Sequence, residues 1–290
     1  MDVQAANRIG AHAFRYLATK PRSGQIISRF RRGFNVLFGE QSDPGFVSIQ
    51  AEGVPLHPWA VACELAGRIR VGDLVVAEAD RIRFREGDDV VDVSAAAVDE
   101  LRIKPHASEE GERALSRLPI LKKILAEERA KQDPDPFRSE IDGILNRWKK
   151  TGNFSMLLGL VGLGPGSTPS GDDVLVGMLA GFTAFERISN EVKTPLLGLR
   201  AALRATETPR TSLPSAQMLA AAGDGSVPEP VLALLSALAS EFDRDVWKPT
   251  RSLVAQGATS GIETLAGLLQ ALDFGTSPGR PRPKIGWLDS

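Results

Sequence analysis

Residues 74–93 read Leu-Val-Val-Ala-Glu-Ala-Asp-Arg-Ile-Arg-Phe-Arg-Glu-Gly-Asp-Asp-Val-Val-Asp-Val. Three short apolar runs, Leu74 to Ala77, Ile82 to Phe84 and Val90 to Val93, are separated only by Asp80-Arg81 and by Glu86-Gly87-Asp88-Asp89. Runs this short, β-branched and bounded by turn residues are strands, and gaps this tight join neighbours as consecutive hairpins. Upstream the texture is the same: Ile26-Ile27, Phe34 to Phe38 and Phe46 to Ile49 are brief apolar pieces between Gly, Pro, Asn and Asp. From Gly24 to about Lys104 the chain is therefore expected to form a small antiparallel barrel or sandwich. The Arg29, Arg31, Arg32 cluster within it is expected on a solvated strand-and-turn surface.

From about Pro105 the periodicity changes. Glu112 to Ala130 and Pro136 to Lys149 have helical spacing, with Asp133-Pro134-Asp135-Pro136 as stop and restart. Further helices are expected over Pro169 to Glu186, Thr194 to Ala205, Leu213 to Ala222, Glu229 to Asp245 and Ser260 to Leu272, and an irregular strap over Gly275 to Lys284. The fold class is α+β: a β-rich barrel-like or sandwich domain over residues 1–105, then a mainly α-helical domain over 106–290.

Charge is balanced, 35 Lys and Arg against 36 Asp and Glu, so no global field favours nucleic acid or an anionic membrane. The longest apolar stretch, Val174 to Phe185, is shorter than the roughly 20 residues that cross a bilayer. The N-terminal stretch, with Arg8, His12, Arg15 and Lys20 spread through it, has no apolar core of a signal peptide. The single cysteine, Cys63, is expected as a buried thiol in a reducing compartment, and the expected location is cytoplasmic. His12, His57 and His106 are not paired with a serine and an acid by any pattern, so no hydrolase triad is expected.

The chemistry concentrates in Gly162-Leu-Gly-Pro-Gly-Ser-Thr-Pro-Ser-Gly-Asp-Asp173. Glycines admit unusual backbone angles, Pro165 limits the slack, and Thr168-Pro169 reads as N-cap and N1 of a helix. First-turn N-H groups, the positive end of the helix dipole and the hydroxyls of Ser167, Thr168 and Ser170 suit a small anion, with Gly171 permitting close approach to the backbone. Asp172 and Asp173 diverge by about 100 degrees around the helix, so one is expected to reach the site and the other to hold the loop. Simple stabilisation of the helix end explains the same pair. Gly162, Gly164 and Gly166 do not have dinucleotide-fingerprint spacing, which would put the third glycine at Ser167.

Ser260-Gly-Ile-Glu-Thr-Leu-Ala-Gly-Leu-Leu269 echoes Ser170-Gly-Asp-Asp-Val-Leu-Val-Gly-Met-Leu179, with Ser, Gly, Leu, Gly and Leu in register. Gly177 and Gly267 would let the two helices cross closely. If their N-termini converge, the segment from Gly257 to Gly261, with Thr259 and Ser260, supplies the second half of an anion cleft. Ser260 and Glu263 equally have capping-box spacing, which needs no ligand.

The same residues carry a family resemblance. Gly162 to Asp173 followed by Val-Leu-Val-Gly, with Gly-Ala-Thr-Ser-Gly at 257–261, resembles the signature of the AllH-type subunit of oxamate carbamoyltransferase, where histidine often stands in place of Ala258. The likeness extends more loosely over most of the chain. It implies a subunit of a carbamoyltransferase-type enzyme of purine-ureide (allantoin or oxalurate) catabolism, with companion subunits as partners and a small anion such as phosphate, carbamoyl phosphate or oxamate as ligand. The carbamoyltransferase loop Ser-Thr-Arg-Thr-Arg is absent. The expected roles are catalysis by Asp172 and Asp173 and anion binding by Gly164, Gly166, Ser167, Thr168, Ser170, Gly171, Thr259, Ser260 and Gly261. No organic cofactor is expected; Mg2+ is the candidate ion, its ligands left open. The competing class is a non-catalytic small-anion-binding, regulatory or scaffold subunit of a metabolic complex.

Overall fold

The computed structural model describes residues 3–39, 44–64, 69–84, 89–185, 190–205, 210–242 and 246–276, and the chain divides into two compact units, 1–101 and 102–290. The first is a β-barrel, the second almost entirely helical.

In the first unit, β1 (Val3–Gly10) leads directly into α1 (Ala11–Ala18). It is followed by β2 (Arg22–Phe30), β3 (Gly33–Phe38), β4 (Gly45–Ala51), β5 (Ala60–Cys63), β6 (Leu74–Glu78), β7 (Arg81–Phe84), β8 (Val90–Asp92) and β9 (Ala97–Asp99). The order is β5-β4-β3-β2-β6-β7-β8-β1, and a further β1 to β5 pairing closes these eight strands into a ring. The ninth, β9, pairs with β1 beyond the end of β8. The hairpins expected through residues 74–93 are present, with Val75 opposite Phe84 and Ile82 opposite Val91. Alternation sends Val75, Ala77, Ile82 and Phe84 inward, where they meet Ile26, Phe34, Val36, Val47 and Ile49, with Ala13 and Leu17 from α1. Cys63 is buried there and its thiol is pushed up to about 12, by desolvation first and the nearby Glu52 charge second. Arg29 and Arg32 are exposed and donate to the Ile69 and Glu52 carbonyls, as a turn surface would.

In the second unit the helices are α2 (Ser108–Ser116), α3 (Leu118–Arg129), α4 (Arg138–Thr151), α5 (Ser170–Ala184), α6 (Asn190–Ala205), α7 (Leu213–Gly223), α8 (Glu229–Ala239), α9 (Trp247–Val254) and α10 (Ser260–Thr276). A 3-10 helix, Phe154–Leu160, precedes the glycine loop where the apolar run Met156 to Val161 lies. The helix expected over Glu112 to Ala130 breaks at Arg117. Pro119 enters the first turn of α3, and the buried Arg117 guanidinium donates to Ala237 O and Leu238 O at 2.8 and 2.7 Å, satisfying carbonyls at the end of α8. The helix expected to reach Asp245 stops at Ala239, and residues 243–245 lie outside those described. Helix continues to Thr276 where the strap was expected to start, and the rest of the strap lies outside the described residues.

The core is built on α5, almost every residue of which is buried, and on α10. The Cβ that Gly177 lacks would lie 2.0 Å from Thr264 O, and the one Gly267 lacks 1.9 Å from Val174 O. The contacts are reciprocal, so the helices cross backbone to backbone, as the paired glycines suggested. At the far end, Trp148 stacks on Phe274 at 4.5 Å, with Phe154 and Phe182 edge-on or tilted around them.

Candidate functional site

Between the 3-10 helix and α5, the backbone reverses through Gly162, Gly164 and Gly166, with φ of 75°, 128° and 86°. These are left-handed values that side chains resist, so the alternating glycines are a geometric requirement of the loop. The loop lies tightly on the helix start: a Cβ at Gly164 would be 2.6 Å from Ser170 N. Helix α5 begins at Ser170 with Pro169 as its extended N-cap, one residue later than expected. The Pro169 carbonyl takes the N-H groups of Asp172 and Asp173, so the ring that would suit N1 instead fixes the turn before it. Thr168, freed from capping, places Oγ1 2.9 Å from Ser260 Oγ at the start of α10. The two helix N-termini therefore meet.

The expected capping box on Ser260 does not form. Ser260 is already helical, the Thr259 carbonyl takes the Glu263 N-H, and the Glu263 carboxylate turns to Arg129 and Arg138. Arg129 Nη2 lies 3.1 Å from Glu263 Oε2, Arg138 Nη2 bonds Oε1, and Glu263 is buried. Gln132 Nε2 donates to Ala258 O at 2.7 Å, tying the stretch after α3 to the loop before α10.

The two aspartates have different surroundings. Asp172 is 1% exposed and filled with donors: Gly162 N-H at 2.8 Å and Ser215 Oγ at 2.7 Å, with Thr211 Oγ1 bonded to the same oxygen as Ser215. It joins the loop to the start of α7. Ser212 adds to that seam by donating to Ser167 O while its oxygen accepts the Ser215 N-H. Asp173 is buried, and its Oδ2 has no hydrogen-bond partner among the described residues. Its pKa is raised to about 8, first by desolvation and further by the charges of Asp172 and Glu263, while the Ser260 hydroxyl works in the other direction.

Of the other residues singled out from sequence, Gly171 and Gly261 serve the packing of their own loops. Gly171 N-H donates to Leu163 O at 2.8 Å, and its missing Cβ makes room for Leu160 O; Gly261 N-H donates to Gln256 O at 3.0 Å beside Leu253 O. The close approach at Gly171 is thus made by the chain itself. Gly166 and Ser167 are exposed, Ser170 is buried, and Thr259 is half-buried just before α10. Glu263, Arg129, Arg138, Gln132, Thr211, Ser212 and Ser215 surround these residues without having been singled out as ligand-site residues. Ser212, before Leu213-Pro214, and Glu263, at capping-box spacing from Ser260, carried local cap signals; the others come from segments far away in sequence. Among the described residues no group of three or more His, Cys, Asp or Glu side chains is arranged to hold a metal, and no helix is long and apolar enough to cross a membrane.

Residues 160–272 match the family model described as oxamate carbamoyltransferase subunit AllH. The matched span opens at the end of the 3-10 helix and closes within α10, so it holds both loops and both crossing helices but none of the barrel. No curated protein and no solved structure matches the chain.

Proposed function

We propose that the chain is a subunit of a carbamoyltransferase-type enzyme and that the paired N-termini of α5 and α10 bind its small anionic ligand, of the phosphate, carbamoyl phosphate or oxamate type. The observation that carries this reading is the 2.9 Å contact between Thr168 Oγ1 and Ser260 Oγ, which brings two hydroxyls and two helix N-termini to one point. Each N-terminus carries partial positive charge, and two together suit an anion with oxygens at both ends. Since the N-H groups of Gly171, Asp172 and Asp173 are used within the chain, the backbone donors are those of Gly166, Ser167, Thr168 and Ser170. Thr168, Ser260 and Thr259 add hydroxyls.

In this reading Asp172 is a positioning residue: it holds Gly162 and the start of α7, and so sets the curvature of the loop. Arg129 and Arg138 neutralise Glu263, which would otherwise oppose an anion at the start of α10. Carbamoyl transfer needs a nucleophilic nitrogen and a carbamoyl carbon held at contact distance, with donors placed where negative charge grows. Companion subunits would supply the remainder of that arrangement.

The test is thermal unfolding of the full chain with phosphate, carbamoyl phosphate or oxamate, with and without Mg2+. A ligand that binds only the native state raises the melting temperature as its concentration grows. The rise should appear with at least one of the three and vanish in the Thr168→Ala, Ser260→Ala double variant. Absence of any rise, or an equal rise in the double variant, overturns the assignment.

A further inference from the structure

Asp173 lies in the first turn of α5 with a buried carboxyl oxygen to which nothing among the described residues donates. An ionised carboxylate there would have the Ser260 hydroxyl but no donor to Oδ2 among the described residues, too little to compensate burial of the charge. The charged groups around it point the same way. Asp172 adds negative charge from its own helix and has three donors of its own. Glu263 faces it from α10, with Arg129 of α3 and Arg138 of α4 engaged on that carboxylate. Hydroxyls complete the neighbourhood: Ser260 of α10 bonds this carboxyl and lies against Thr168 of the loop, while Thr211 and Ser215 are engaged on Asp172.

Resting on the anion-site reading above, we propose that Asp173 works in this site as a neutral acid and that the anion is taken up together with one proton, an anion oxygen accepting the Asp173 O-H. The ligand class follows: a small carboxylate or similar oxyanion that offers an oxygen acceptor to Asp173. A group presenting only N-H in that position would require the ionised form. No bond to carbon changes in this step; one proton stays on Asp173 or is shared with the bound oxygen. The elevated pKa of Asp173, about 8, fits a group that holds its proton at neutral pH despite the favourable end of the helix dipole. A neutral acid also removes the conflict between an anion and a carboxylate a few ångströms away.

The experiment is calorimetric titration of the full chain with oxamate, and with sulfate as an inorganic counterpart, between pH 6 and pH 10, a range in which neither ligand changes its charge. The dissociation constant should be nearly flat below about pH 7 and rise about tenfold per unit well above pH 8. At pH 9, parallel titrations in buffers of different ionisation enthalpy should show nearly one proton taken up per anion bound. Asp173→Asn replaces the O-H with an N-H donor that does not titrate, so it should bind within a few-fold of the parent at pH 6 and lose the slope. A parent profile that stays flat to pH 10, or a slope that persists in Asp173→Asn, overturns the inference and leaves the anion site standing. Failure of both anions to bind at any pH overturns the site and the inference together. The parent profile alone decides the matter if the variant does not fold.

Discussion

Replacing Gly267 by alanine should destabilise the helical unit, although alanine is the better helix former by about 1 kcal/mol. The added Cβ would lie 1.9 Å from Val174 O, 2.7 Å from Val174 C and 2.9 Å from Val174 Cα, all backbone atoms of α5 that no rotamer change can move. Ordinary contact begins near 3.4 Å, so the helices must separate by about 1.5 Å, or one must slide along the other. Val174, Leu175, Met178, Leu265 and Leu268 are buried along that crossing, and separation would loosen their packing as well. Overpacking of this kind, which forces side chains and backbone to shift, costs about 1–3 kcal/mol. Set against the propensity gain, the net loss is up to about 2 kcal/mol, a fall in melting temperature of up to about 4–8 °C for a unit of this size.

Gly143→Ala is the matched control. Gly143 is in α4, where an added Cβ would meet only the mobile end of Arg147 at 3.5 Å, so this variant should gain stability. The assay is chemical denaturation of parent, Gly143→Ala, Gly267→Ala, Gly177→Ala and the last two combined. One separation of the helices relieves both clashes, so the double variant should lose less than the sum of the singles. If Gly267→Ala matches Gly143→Ala in stability, the close crossing and the reciprocal use of the two glycines are wrong.

Asp172→Asn should lower stability by about 2–3 kcal/mol in chemical denaturation, because an ionised acceptor holding three donors is replaced by an amide that presents N-H to one of them. Asp173→Asn should behave in the opposite way. Its parent pKa lies above the ordinary 3.8, so the native state holds more protons between about pH 4 and 8 and stability falls as pH rises through that window; melts at pH 5 and pH 9 should show the variant gaining on the parent at the higher pH. His57 is pushed down to about 4 by burial, while the unfolded chain titrates near 6.5. Stability present above pH 6.5 should therefore be lost as pH falls towards 4, and hydrogen exchange of the barrel amides should show a smaller acid loss in His57→Gln.

Much of the barrel was legible because β6, β7 and β8 alternate inward and outward residues between short turns. Three strands were not. Ala60-Val-Ala-Cys63 is buried on both faces, so it has no period of two, and at four residues it is too short to be separated from a buried turn. Val3–Gly10 is a chain of small and polar residues, and β9 is mostly exposed. The closure of the ring, made by β1 against β5 and by parallel pairing to β8, joins segments distant in sequence and has no local signature. In the helical unit the glycine loop, the start of α5 within one residue and the helix crossing could all be read. The direction of the two aspartates could not, since it is set by Thr211 and Ser215 for Asp172 and by α10 for Asp173. The Ser260 and Glu263 spacing pointed to a cap, yet the two arginines that draw Glu263 away lie more than a hundred residues earlier.

The echo between the two helices is a symmetric frame carrying an asymmetric candidate site. Each half has a short helix, a loop with a glycine in the left-handed region, Gly162 or Gly257, and a long helix whose Ser-Gly start presses on a carbonyl in the last turn of the preceding helix: Gly171 on Leu160, Gly261 on Leu253. Backbone geometry repeats because the glycine crossing demands it, but the side chains that face the junction differ. Where the first half has Thr168, the second has Ala258; where it has Asp172 tied to α7, the second has the buried Ile262; where it has Asp173 with an open oxygen, the second has Glu263 held by two arginines. A symmetric pocket would bind the two ends of a ligand equally and could not fix its direction. Each side brings a hydroxyl, Thr168 or Ser260, but the acid with the open oxygen belongs to the α5 side and the ion-paired acid to the α10 side, so under the proposed function the energy of a bound anion would depend on which end enters which half. For a ligand of the oxamate type proposed above, with a carboxylate at one end and an amide at the other, that distinction would have a consequence: its orientation would decide whether an amide nitrogen is left exposed for reaction or buried against the loop.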